Sequence, residues 1–271
     1  MSRPWLVDTH CHLDFNAFNI DRAEVIGRAR EAGLVRVVDP GIDIPTSKTA
    51  LELAEQFSVV YAAVGIHPNE VQSMDVFQRG LLESFLAHAK VVAVGEIGLD
   101  YFRDRTPRDL QVKAFEKQLE LASEAGLPVI VHNREASQDI LEILSAWQTG
   151  LKSTNPDLAN RPGVLHSFSG TIEEALRVVE IGFLIGITGP VTFRKAIDLQ
   201  RLVSVLPLEC LLVETDAPYL TPHPWRGKRN EPSYVKYTAE KIADLRGVGF
   251  EQVAEITTAN AFRLFNWREP F

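Results

Sequence analysis

A chain of 271 residues, 45% hydrophobic and 24% charged, has the make-up of a folded globular protein and excludes a disordered or fibrous one. Its net charge of −8 gives no global basic field, so a polyanionic partner would have to be met locally, by bound cations and a few arginines. The two cysteines, Cys11 and Cys210, lie in apolar runs without a CxxC, no signal segment opens the chain, and no apolar run is long enough to span a bilayer. The expectation is a cytoplasmic protein with no membrane anchor and no obligate protein partner.

Short β-branched runs alternate with longer amphipathic stretches. Trp5–Val7 predicts a strand and Arg22–Ala32 a helix with Val25, Ile26 and Ala29 on one face, closed by Gly33. Strand Leu34–Val38, helix Pro45–Phe57 and strand Val59–Ile66 follow. The last is almost wholly apolar, as a parallel strand covered on both faces should be. Then come helix Phe77–His88, strand Val91–Val94, helix Arg108–Ala125, strand Pro128–Val131 and helix Ser137–Trp147. Gly150–Pro162 carries Gly, Ser, Asn and Pro with little apolar period, so it reads as a surface excursion that could alter substrate access. Strand Gly163–Leu165, helix Ile172–Ile181, strand Phe183–Ile187, helix Lys195–Val205, strand Cys210–Val213 and closing helices Pro232–Leu245 and Glu251–Phe265 complete the order. About eight β-then-α units in this length predict an α/β fold, a (β/α)8 TIM barrel forming one domain over 1–271. Periodicity does not show closure, so a doubly wound open sheet stays open as an alternative.

The polar residues fall where these strands end. His10 and His12 follow the first, and the i, i+2 spacing on extended backbone turns both imidazoles to one face while Cys11 points away. Glu96 follows Val91–Gly95, His132 follows Pro128–Val131, His166 follows Val164-Leu165, and Asp216 follows Leu211–Val213. In a barrel all of these stand around the mouth where active sites are built. Singly, each is more often a capping residue; together they make a metal site. Six side chains exceed what one tetrahedral centre accepts, so two divalent ions are expected, with Glu96 able to bridge them. Nitrogen and oxygen donors suit Zn²⁺, Mn²⁺ or Mg²⁺, and the histidines lean away from Mg²⁺ alone.

From Leu6 to about Trp267 the sequence resembles the TatD-type metal-dependent deoxyribonucleases of the amidohydrolase superfamily. The resemblance rests on LVDTHCHLD, VGIHPNE, VGEIGLDY, PVIVHNREA, LHSFSG, LVETDAPYL and RNEP. It implies that His10, His12, Glu96 and Asp216 hold one ion, and Glu96, His132 and His166 a second. It also implies hydrolysis of phosphodiester bonds by a metal-activated water, largely 3′-to-5′ on single-stranded DNA, with RNA for some members. Asp216 is the expected general base.

The other polar residues carry substrate roles or bland ones. His67, after the third strand, reads as a phosphate contact rather than a ligand. Arg134 offers a fork suited to phosphate, against a surface ion pair as the plain alternative. Ser167 opens a helix whose free N–H groups would take an anion. Tyr101 and Phe168 could stack on a base or simply pack. Arg229, in the dense basic run Arg226–Arg229, could hold the DNA backbone or sit in a solvated loop. Asp8 could fix an imidazole tautomer from behind or serve the barrel floor. The rival reaction class is an amide or ester hydrolase, such as a D-aminoacyl-tRNA deacylase; a non-catalytic metal-binding protein is the third reading.

Overall fold

The computed structural model of the chain describes residues 5–71, 76–103 and 105–268. Eight parallel strands pair in chain order: β1 (Leu6–Asp8), β2 (Leu34–Pro40), β3 (Val60–Val64), β4 (Val91–Asp100), β5 (Val129–Arg134), β6 (Gly163–Leu165), β7 (Leu184–Ile187) and β8 (Leu211–Val213). The ring closes just beyond the ends of β1 and β8. Thr9 N donates to Val213 O (3.3 Å), Asp216 N to His10 O (2.8 Å) and His12 N to Ala217 O (2.9 Å), and Cys11 bridges Ala217 in parallel. This is the barrel, and the doubly wound alternative is overturned by that seam.

Helices α1 (Arg22–Glu31), α2 (Ile44–Gln56), α3 (Val76–Leu86), α4 (Arg108–Ala125), α5 (Ser137–Thr154), α6 (Pro156–Ala159), α7 (Ile172–Glu180), α8 (Ile197–Val205), α9 (Val235–Arg246) and α10 (Phe250–Leu264) wrap the sheet. The strand pleat decides the two cores. Val7, Val38, Ala63, Ile130, Val164 and Leu212 fill the barrel interior, which Phe262, Leu264 and Phe265 at the end of α10 stop at its floor. Leu6, Val37, Ala62, Val129, Leu165 and Leu211, their neighbours in sequence, face the helices instead. Cys11 lies in that outer core, fully buried, as the alternation with His10 and His12 requires.

Two expectations need correcting. Gly150–Pro162 is no loose excursion: α5 continues to Thr154, Asn155 caps α6 by accepting from Leu158 N (3.1 Å), and Leu151 and Leu158 pack under Trp147. Gly150 lies inside α5 and Pro156 opens α6, and period counting mistook both for a loop. It feeds the amino end of β6, opposite the mouth, so it has no path to the site. Second, β4 does not stop at Val94 but runs to Asp100, with a break in register between Val94 and Ile97 that places Glu96 within the strand. Such irregularities re-aim a side chain while keeping the ladder. Among the described residues, no helix is long and apolar enough to cross a membrane.

Candidate metal centre

Glu96 stands at the centre of the mouth, buried, with its backbone N–H held by the Gly41 carbonyl (2.9 Å). Its two carboxylate oxygens face different partners. Oε2 lies 3.5 Å from His10 Nε2 and 3.8 Å from His12 Nε2. Oε1 lies 2.8 Å from His132 Nδ1, 3.3 Å from His166 Nε2 and 3.8 Å from His67 Nε2. Asp216 Oδ1 joins the first set, 3.6 Å from His12 Nε2 and 3.8 Å from His10 Nε2. The six residues expected to hold metal are therefore brought together, and divided as a bridging carboxylate would divide them.

The imidazoles are aimed by their surroundings. His12 donates Nδ1–H to the Pro40 carbonyl (3.1 Å), leaving the Nε2 lone pair for the centre. That lone pair faces His10 Nε2 at only 3.2 Å, and His10 stacks on His166 with centroids 3.7 Å apart. His10 Nδ1 is buried without a hydrogen-bond partner, while His132 Nε2 and His166 Nδ1 face carboxylates at 3.4 and 3.6 Å. Nitrogen lone pairs converging beside two carboxylates fit a divalent ion better than a purely hydrogen-bonded cluster. Three groups of side chains, His10-His12-Glu96, His10-His166-Glu214 and His67-Glu96-His132, each bring ligand atoms within 4.8 Å of one another.

Electrostatics agree. Burial pushes the Glu96 carboxyl up, but the charge of His166, with hydrogen bonds from His10 and His132, outweighs it and holds it well below the usual range. Burial likewise opposes charge on His166, yet Glu96, Glu214 and Asp216 raise it well above an ordinary imidazole. For Asp216, burial is outweighed by the hydrogen bond from His12 and by His166 and His10, so it stays ionised. The centre of the mouth thus keeps Glu96 and Asp216 ionised among the imidazoles.

His67, expected as a phosphate contact, carries no positive charge to offer one. Burial and the neighbouring His132 bring it down to about 3, so it is neutral at ordinary pH. Its Nδ1 accepts from Asn69 N (3.1 Å), which leaves one Nε2–H to offer toward Glu96 and the cleft. The cleft of about 700 Å³ is lined by His12, His67, Glu96, His132, His166 and Asp216, together with Asn133, Arg134, Ser167 and Phe168.

Other substrate candidates stand elsewhere. Arg134 lines the cleft and stacks on Phe102 (4.0 Å), and among the described residues it joins no ion pair. Ser167 lines it too, but its N–H donates to Glu214 Oε2 (3.0 Å), and α7 is closed by its own capping box of Thr171 and Glu174. The helix end is thus already satisfied, which corrects its reading as an open anion site. Tyr101 is not in the cleft lining: its hydroxyl donates to Asp139 Oδ2 (2.5 Å) and Arg108 covers its ring at 4.2 Å. Arg229 is held by Asp21 (2.6 and 2.8 Å) and the Ala17 carbonyl, and Arg226 lies over Phe193 (4.3 Å); neither lines the cleft. Asp8 reaches no imidazole. It takes Thr215 N (2.9 Å) and Thr215 Oγ1 (2.6 Å), stapling β1 to the turn that carries Asp216; burial raises it to about 8.

Two acidic residues were missed. Glu214 accepts from Thr9 Oγ1 (3.2 Å) and Ser167 N (3.0 Å) and lies 3.6 Å from His166 Nδ1. Asp100 lies 3.4 Å from His132 Nε2, with Asn69 Nδ2 donating to it at 2.8 Å and Gln111 bonding its backbone N–H (2.8 Å). Each back-supports a histidine. The signal was present, since both sit within two and four residues of Asp216 and Glu96 in Glu-Thr-Asp and Glu-Ile-Gly-Leu-Asp.

A family model described as "TatD related DNase" matches residues 7–266. The chain belongs to that family. It is 44% identical over 260 residues to the "uncharacterized metal-dependent hydrolase YabD" of Bacillus subtilis, covering 96% of this chain and 98% of the relative. It is 35% identical over 267 residues to the "3'-5' ssDNA/RNA exonuclease TatD" of Shigella flexneri, covering 96% and 98%. The crystal structure of the TatD homologue YjjV from Escherichia coli superposes with a TM-score of 0.88 at 33% identity, over 96% of this chain and 98% of that one. The chain is thus a metal-dependent hydrolase of the TatD family on a TIM barrel.

Proposed function

We propose that this TatD-family hydrolase cleaves phosphodiester bonds of single-stranded DNA from the 3′ end, using two divalent ions held by His10, His12, Glu96 and Asp216 and by Glu96, His132 and His166. The carrying observation is the division of Glu96: one oxygen toward His10 and His12, the other toward His132 and His166. Ions held there supply Lewis acidity toward a phosphoryl oxygen and acidify a water molecule.

The chain's own groups do the rest. Asp216, ionised and at the rim of the first set, is placed to take a proton from the attacking water. Arg134 and the neutral Nε2–H of His67 are set to bind non-bridging oxygens, the first by charge and the second by hydrogen bond. Glu214 and Asp100 hold the imidazoles of His166 and His132 in orientation. A cleft of about 700 Å³ lies in the range of roughly 300–1,000 Å³ that encloses small ligands, which suits one chain end better than a duplex. The Shigella relative named a 3′-5′ exonuclease of single-stranded DNA and RNA supports the same reading.

The test is to strip the protein of metal and incubate it with labelled single-stranded DNA and Mg²⁺, Mn²⁺ or Zn²⁺ added singly. Stepwise shortening from the 3′ end is the expected result; turnover of amide or aminoacyl ester substrates with none of DNA would overturn it. Arg134→Ala separates the two classes further, because it should cripple a phosphodiesterase and spare a hydrolase of neutral amides.

A further inference from the structure

The two walls of the cleft differ in kind. On the β4–β5 side stand Arg103, Arg105 and Arg134; on the β7–β8 side stand Pro190, Leu199, Tyr219 and Leu220. All three arginines are exposed, and among the described residues none forms an ion pair. Arg28 is spent on Glu231, Arg79 on Glu83 and Glu124, and Arg229 on Asp21. Glu70, an exposed carboxylate on the same wall, pairs with none of the three. A protein of net charge −8 therefore sets three exposed guanidinium groups along one lip of this cleft, and Phe102, 55% exposed, stacks on Arg134 at 4.0 Å. Across the cleft, Tyr219 is 56% exposed beside Phe15 (6.2 Å).

A cationic wall facing an aromatic and aliphatic one matches the two sides of an unpaired nucleic acid strand, phosphates along one edge and base faces along the other. Resting on the nuclease reading above, we propose that Arg103 and Arg105 bind the phosphates of the chain attached to the scissile one. The strand runs over the β4–α4 loop, its bases turned to Tyr219 and Leu220. This assigns to the β4–α4 loop the backbone contact expected of the Arg226–Arg229 run, whose Arg229 is consumed by Asp21.

The test compares wild type with the double variant Arg103→Ala/Arg105→Ala, both metal-loaded, on a single-stranded oligonucleotide of about twenty residues and on a dinucleotide. Each phosphate neutralised on a single strand contributes a slope of about 0.7 in log affinity against log salt through the counterions it releases, so removing two contacts should flatten the slope by about 1.4. Between 50 and 200 mM salt, the fall in kcat/KM on the long substrate should then be about sevenfold smaller for the variant. The loss at low salt should be larger on the oligonucleotide than on the dinucleotide. An unchanged salt slope, or equal losses on both substrates, with wild type active, would overturn the lane and leave the nuclease reading standing. A wild type that cleaves neither substrate would overturn the nuclease reading and the lane together.

Discussion

The barrel's two ends use polar residues in opposite ways. At the floor, charges are met by rings and carbonyls. Lys90 donates to Ser58 O and Val60 O (2.9 and 3.0 Å) beneath the Tyr61 ring, Arg36 lies over Tyr61 and Trp267, and Arg161 reaches Leu264 O and Gly126 O. Asn260 joins α10 to the start of β8 through Leu208 O and Leu211 O, both at 2.8 Å. At the mouth, carboxylates and imidazoles are packed against each other, Glu96 facing His10, His12, His132 and His166. The floor's polar groups close the fold, whereas the mouth's converge on one centre. Substitution should therefore separate stability from chemistry according to the end it touches.

The largest effect is expected from Glu96→Gln. Its carboxylate serves both ligand sets, so turnover should fall by at least about 10³-fold and bound metal should drop by more than one ion per chain. Metal analysis after dialysis, alongside a nuclease assay, checks this; full metal content would break the bridging assignment. A smaller loss is expected from Glu214→Gln, which only orients His166 and Ser167: about 10–100-fold in metal affinity or rate, with the second ion's site affected first. Equal loss of both ions would mean that Glu214 is itself a ligand, as its place in the His10-His166-Glu214 group allows.

The strand order and the mouth residues were legible because parallel strands advertise themselves as apolar runs and end at a functional face. Three things were not legible. The break in register before Ile97 has no side-chain period, so β4 seemed to stop before Glu96. Gly98, at φ +139°, lets β4 pass His132 so closely that a Cβ there would meet His132 N at 3.0 Å; a lone glycine in the sequence does not announce that. Pairing across the chain was hidden as well. Arg229 with Asp21, and Asp8 with Thr215, are separated by some two hundred residues, so a basic run looked free and an acid looked available to a histidine.

The floor supplies the next comparison. Asn260→Ala should remove two hydrogen bonds from buried carbonyls and destabilise the fold by about 2–3 kcal/mol, while metal content and the rate per folded molecule stay at wild-type values. Denaturant unfolding and metal analysis on the same sample check both halves. A lost ion with an unmoved midpoint would erase the division between the two ends.

The smallest effect should come from Cys11→Ser, though it lies between two of the proposed ligands. Extended backbone sends His10 and His12 into the mouth and Cys11 into the outer core, where its thiol is buried and within hydrogen-bond reach of Thr215. An introduced hydroxyl keeps that partner, so the stability cost should be about 1 kcal/mol and the metal content unchanged. His12→Ala, one residue on, should cost the first ion, because its Nε2 lies against His10, Glu96 and Asp216. Metal analysis of the two variants side by side reads the alternation directly. If the cysteine variant lost metal and the histidine variant kept it, the face assigned to the mouth would be the wrong one.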